Sequence, residues 1–72
     1  MSTTANYSVS GMTCSHCVAA VTDEVGRLAG VSAVDVDLNA GGDSRVTVTS
    51  KAPLPVDAVR TAVDEAGYAL VS

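Results

Sequence analysis

The sequence predicts an α+β domain in which a four-stranded antiparallel sheet carries two helices on one face, in the chain order βαββαβ. Three observations predict it. Short runs alternate apolar with polar residues; two apolar stripes of helical spacing repeat 38 positions apart; and each stripe stops at a glycine ahead of another extended run.

Met1 to Ala5 is small and polar and reads as a flexible terminus, leaving 6–72 as the domain. Tyr7 and Val9 alternate with Ser8 and Ser10, the period of a half-buried strand. Gly11 to Cys14 forms a loop, and Ser15 is the candidate N-cap of a first helix. Val18, Val21, Val25 and Leu28 fall at i, i+3, i+7 and i+10, one face of that helix, and Gly30 supplies a left-handed stop. Val34, Val36 and Leu38 alternate with Asp35 and Asp37. Turn-forming residues from Asn39 to Asp43 follow, and Val46 and Val48 then alternate with Arg45, Thr47 and Thr49, which completes a hairpin. Pro55 suits the first position of a second helix whose stripe is Val56, Val59, Val63 and Ala66, stopped at Gly67. Tyr68 to Val71 is the closing strand. Two right-handed βαβ halves joined by this hairpin interleave into the ferredoxin-like sandwich, with Ser8, Asp35, Asp37, Arg45, Thr47 and Thr49 on the open sheet face.

A chain of 72 residues holds one small domain and no large cleft. Its apolar share of 47% comes mostly from Val and Ala, with no Trp or Phe. Eight acidic residues against four basic ones give a net charge of −4, which repels phosphate backbones and anionic lipid. No stretch has the length of a membrane span, and the N-terminus lacks the charged start and apolar run of a secretory signal. The Met1 start and the complete element set point to a free-standing cytoplasmic protein, where two cysteines three positions apart read as a metal or redox pair.

Those cysteines, Cys14 and Cys17, fall where a loop meets a helix. Unpaired backbone N–H groups and the positive end of the helix dipole lower thiol pKa there and favour the thiolate that binds metal. A closed zinc site wants four protein ligands, and the chain offers two Cys and His16. Two thiolates are enough for a soft d¹⁰ ion that accepts two-coordinate geometry, which favours Cu(I). An incomplete coordination sphere also lets an incoming thiolate displace ligands stepwise, and a second protomer can bridge a loaded site. The rival readings are a thiol–disulfide redox pair, which lacks an adjacent Trp here, and inert thiols.

Gly11-Met12-Thr13-Cys14-Ser15-His16-Cys17, with Gly67-Tyr68 near the end, resembles the heavy-metal-associated domain family, its small bacterial copper chaperones in particular. The resemblance runs from about Tyr7 to Leu70 in motif placement and element order. It implies Cu(I) held by both cysteines, no enzymatic activity, and donation to the matching domain or acceptor site of a copper-transporting P-type ATPase. It further implies a buried Met12 under the metal loop, Tyr68 near the metal, and, in Thr13, the copper-type residue where zinc-type relatives carry an acid. Carriage of Zn, Cd or Hg and a regulatory domain of a heavy-metal ATPase remain the alternatives. A metal-free monomer is expected, less stable than the loaded form and mobile from Gly11 to His16.

Each supporting residue also has a plainer reading. Met12 is better explained by packing than by a thioether ligand. His16 is a third ligand or an exposed bystander. Tyr68 shields the thiolates or fills the sheet edge. The helix acids Asp23, Glu24, Asp57, Asp64 and Glu65 form solvated faces, some of them suited to docking a basic partner.

Overall fold

The computed structural model describes residues 2–71. Its elements are β1 (Thr3–Ser10), α1 (Ser15–Gly26), β2 (Val31–Asp37), β3 (Ser44–Ser50), α2 (Val56–Glu65) and β4 (Ala69–Leu70). The strands form one antiparallel sheet in the order β2-β3-β1-β4, and the chain has the ferredoxin-like arrangement expected from its pattern.

Alternation decides which side of each strand is buried. On central strand β3, Ser44, Val46, Val48 and Ser50 are buried, while Arg45 is exposed and Thr47 and Thr49 are half-buried on the other face. Antiparallel register sets Tyr7 against Val46 and Val36 against Val46, so apolar side chains from three strands share one face. The helices close that face with Val21 and Val25 of α1 and Val59, Ala62 and Val63 of α2. Each buried Val contributes about 1.5–3 kcal/mol relative to leaving it in water, so this valine-built core depends on nearly all of its members. The open face carries Asp35, Asp37 and Arg45, and there the Thr47 hydroxyl donates to the Asn6 side-chain oxygen at 2.7 Å.

Several boundaries differ from the expectation. The first strand begins at Thr3, so Thr3 to Ala5, expected to be flexible, pair with Ser50, Thr49 and Val48; Met1 lies outside the described residues. Small polar residues conceal a strand from hydropathy, and the long partner β3 supplies the hydrogen bonds that define it. Ser15 is not the N-cap. That position is Cys14, whose extended backbone (φ −155°, ψ 177°) precedes Ser15, the first helical residue. Its carbonyl accepts from the N–H groups of Cys17 at 3.1 Å and Val18 at 3.3 Å. Pro55 is likewise the residue before α2 and not its first member. Helix α1 ends at Gly26, and Gly30 instead turns the chain into β2. In α2, Val56 at the helix start is exposed and Ala62 takes a place in the core.

The register also brings three separate turns together. Val9 pairs with Ser44 at the start of β3 and with Leu70 at the end of β4. The β1–α1 loop, the β2–β3 turn and the α2–β4 turn therefore lie at one end of the sheet.

Candidate metal centre

The site is built on the loop from Gly11 to Cys14 and the first turn of α1. Met12 anchors that loop from beneath: it is 1% exposed and belongs to the core with Val9, Cys17 and Val21. Its burial matches the packing expectation. Cys17 follows the helical spacing of Val21 and Val25 at i, i+4 and i+8, so the same helix face that builds the core pulls this thiol inward. Cys14, before the helix, stays exposed.

The two sulfurs lie 3.7 Å apart. They are unjoined, within reach of a common ion, and unequal: one is held by the fold and the other open to solvent. The Thr13 backbone N–H donates to the Cys17 sulfur at 3.5 Å, with the Thr13 hydroxyl 3.9 Å from the same atom. These contacts lower the Cys17 thiol from an ordinary 9.0 to about 6, chiefly through the Thr13 N–H and then through the Tyr68 phenol. Burial opposes the shift, and the Cys14 backbone and side chain reinforce it. At neutral pH the Cys17 sulfur is therefore mostly thiolate. The hydrogen bond to the Cys17 sulfur in turn holds the Tyr68 hydroxyl pKa above its usual value, with burial and the negative charge of the two sulfurs adding to the shift.

Tyr68 reaches the site from the far end of the chain. It follows a left-handed Gly67 (φ +95°) at the end of α2. There the Gly67 N–H donates to the Asp64 carbonyl at 2.9 Å and the Tyr68 N–H to the Val63 carbonyl at 3.1 Å, the paired bonds of a Schellman stop. The half-buried Tyr68 ring lies against Gly11 (φ +90°), where a β-carbon would stand 3.5 Å from Cδ1 of the ring.

His16 and Ser15 are exposed on the first helical turn. Among the described residues, no group of three or more His, Cys, Asp or Glu side chains is placed to hold an ion. The donor set is thus two sulfurs, one already ionised, with no carboxylate or imidazole gathered with them among the described residues. Such a set suits a soft ion of low coordination number and leaves a hard cation without ligands. Sequence reasoning expected unpaired backbone N–H groups and the helix dipole to lower the thiol pKa, but it did not single out the Thr13 N–H, a backbone group that carries no side-chain signal. It also missed the seat that Gly11 provides for Tyr68.

A ferredoxin-like sheet with a C-x-x-C pair at its first loop–helix junction defines a small class of thiolate-bearing domains. The family model for the heavy-metal-associated domain matches residues 6–69, and the chain belongs to that family. It is 46% identical over 61 residues to a copper chaperone, CopZ, of Bacillus subtilis, covering 83% of this chain and 84% of the relative. Among solved structures, a CopZ metallochaperone superposes with a TM-score of 0.80 at 28% identity, covering 96% of this chain and 100% of the other. A variant of CopA from Bacillus subtilis, in its copper form, superposes with a TM-score of 0.76 at 29% identity, covering 99% and 91%.

Proposed function

We propose that this chain is a Cu(I) metallochaperone: it binds the ion between Cys14 and Cys17 and passes it on by ligand exchange, without catalysing a reaction. The observation that carries the reading is the unequal sulfur pair, 3.7 Å apart, with no third His, Cys, Asp or Glu gathered beside it among the described residues. The buried Cys17 thiolate holds the ion, and exposed Cys14 is the ligand that an incoming thiolate displaces first. Each exchange keeps the number of sulfur–metal bonds nearly constant, so transfer proceeds without a free ion. Similarity to the CopZ chaperones supports copper as the cargo.

The acceptor is a like-folded domain or acceptor site of a copper-transporting P-type ATPase, a reading supported by similarity to CopA as well as to CopZ. A cytoplasmic location fits such an exchange, and no helix among the described residues is long and apolar enough to cross a membrane. The metal-free protein is a monomer, and the exposed Cys14 allows a second protomer to bridge the loaded site. The CopA similarity also supports a second reading, in which the same domain regulates a transporter.

Competition between Cu(I) and Zn(II) against a chromophoric chelator tests the proposal, using the unaltered protein and Cys14→Ser. One Cu(I) bound per chain, lost in the variant and not displaced by Zn(II), is the expected result. Equal cuprous loading of the variant would overturn it.

A further inference from the structure

The β1–α1 loop and the α2–β4 turn come from opposite ends of the chain, yet both present a left-handed glycine to the same side chain. From that geometry we infer that Gly11 and Gly67 are positioning residues for metal retention: together they seat the Tyr68 ring over the metal loop. The inference rests on the Cu(I) reading above and adds to it the device that holds the site's aromatic cover in place.

Gly67 fixes where Tyr68 begins. Its φ of +95° reverses the chain out of α2 and lets the Gly67 and Tyr68 N–H groups close back on Asp64 and Val63. Any L-residue with a β-carbon is strained in that conformation, although nothing lies within 4 Å of the position such a carbon would take. A substitution there acts through backbone direction and not through a clash. Gly11 fixes where the ring ends. Its φ is +90°, and the atom nearest to its absent β-carbon is Cδ1 of Tyr68, at 3.5 Å. The backbone of the metal loop is therefore in direct reach of the ring edge. Met12 and Cys17 lie in the core cluster against which Tyr68 packs. A β-carbon at Gly11 would meet the ring only at ordinary van der Waals distance, so a substitution at either glycine acts through strain at its positive φ, shifting loop and ring relative to each other and leaving the Cys17 side of the site more open to a competing thiol.

A third glycine provides the control. Gly30 has nearly the same backbone conformation (φ +87°) and likewise nothing within 4 Å, but it leads into β2. Val31 pairs with Ser50, at the end of the sheet away from Cys14, so strain at Gly30 is remote from the site.

The experiment measures the rate at which a thiol chelator strips Cu(I) from Gly11→Ala, Gly67→Ala and Gly30→Ala, all in a Tyr7→Phe background. In that background Tyr68 is the sole tyrosine and, with excitation in the tyrosine band, the sole emitter, because the sequence has two Tyr and no Trp. Gly11→Ala and Gly67→Ala are expected to release the ion roughly 2- to 10-fold faster, the scale of one hydrogen bond, and to change Tyr68 emission. Gly30→Ala is expected to melt earlier but to release at the parent rate. Combining Gly67→Ala with Tyr68→Phe should be no faster than Tyr68→Phe alone, since both remove the same cover. Gly67→Asn, which tolerates the left-handed region, should restore the parent rate.

Additive effects in the double variant, or equal rates for Gly67→Ala and Gly30→Ala, would overturn the inference. If Gly67→Ala does not fold, Gly11→Ala carries the same comparison with Tyr68→Phe. Failure of the parent protein to load Cu(I) at all is a different result, which refutes the metal reading, and the Tyr68 emission of the metal-free variants still tests the seat.

Discussion

Replacing Met12 by Ala separates packing from ligation at the metal loop. Met12 is 1% exposed and the largest of the fully buried side chains among the described residues, so truncating it leaves a cavity directly beneath the loop that carries Cys14. Large-to-small changes of this kind cost about 2–5 kcal/mol. A core in a domain of this size supplies only ~3–5 kcal/mol in total. The metal-free variant is therefore expected to be largely unfolded at room temperature, whereas Cu(I) held at ~1,000 times its dissociation constant adds ~4 kcal/mol and should restore the fold. Met12→Leu keeps volume and apolar character and should cost less than ~1.5 kcal/mol. Urea melts followed by far-ultraviolet circular dichroism, with and without Cu(I), give the stabilities, and chelator competition gives the affinities. The reasoning fails if metal-free Met12→Ala loses less than ~1 kcal/mol, contrary to the usual cost of such a cavity. A tenfold or greater loss of Cu(I) affinity in Met12→Leu would refute it differently, by showing that the thioether is a ligand.

Thiolate absorbance of the metal-free protein should titrate with a midpoint near pH 6 that disappears in Cys17→Ser; a midpoint near the ordinary thiol value of 9.0 would contradict the Thr13 geometry. Because the folded-state pKa lies below the unfolded one, the associated stability is fully present above the ordinary thiol range and is lost as pH falls through about 6, so melting temperature should decline over that interval. Ser44→Ala removes a buried hydroxyl that accepts from the Asn39 N–H at 2.9 Å, and a chemical melt should show a loss of about 1–3 kcal/mol if that N–H is left without a partner. His16→Ala should leave Cu(I) affinity unchanged between about pH 6 and 8, because the side chain is exposed and in no three-ligand cluster; a pH-dependent loss would make it a ligand.

Much of the fold was legible because its cues are local. The alternation from Val46 to Thr49 identified the middle of β3, and the repeated stripes located both helices. The cues failed where side chains are small or where neighbours decide. Thr3 to Ala5 carry no apolar pattern, but β3 pairs with them. Ser44 and Ser50 look like surface residues, but each is buried on the inner side of β3, with its hydroxyl bonded to the backbone at Asn39 or Ala52. The helix start moved by one residue because Cys14, and not Ser15 as expected, is the N-cap whose carbonyl accepts the first helical hydrogen bonds.

The sequence alone determined that two thiols meet at the mouth of a helix on a ferredoxin-like frame, since periodicity, glycine stops and C-x-x-C spacing are all properties of neighbouring residues. Tertiary structure decided how the thiols differ: Cys17 turned inward, Thr13 N–H aimed at its sulfur, and Tyr68 brought alongside. The placement of Tyr68 depends on the register of Val9 with Leu70. Register is set by how a whole sheet buries one face, and no short window of sequence contains it.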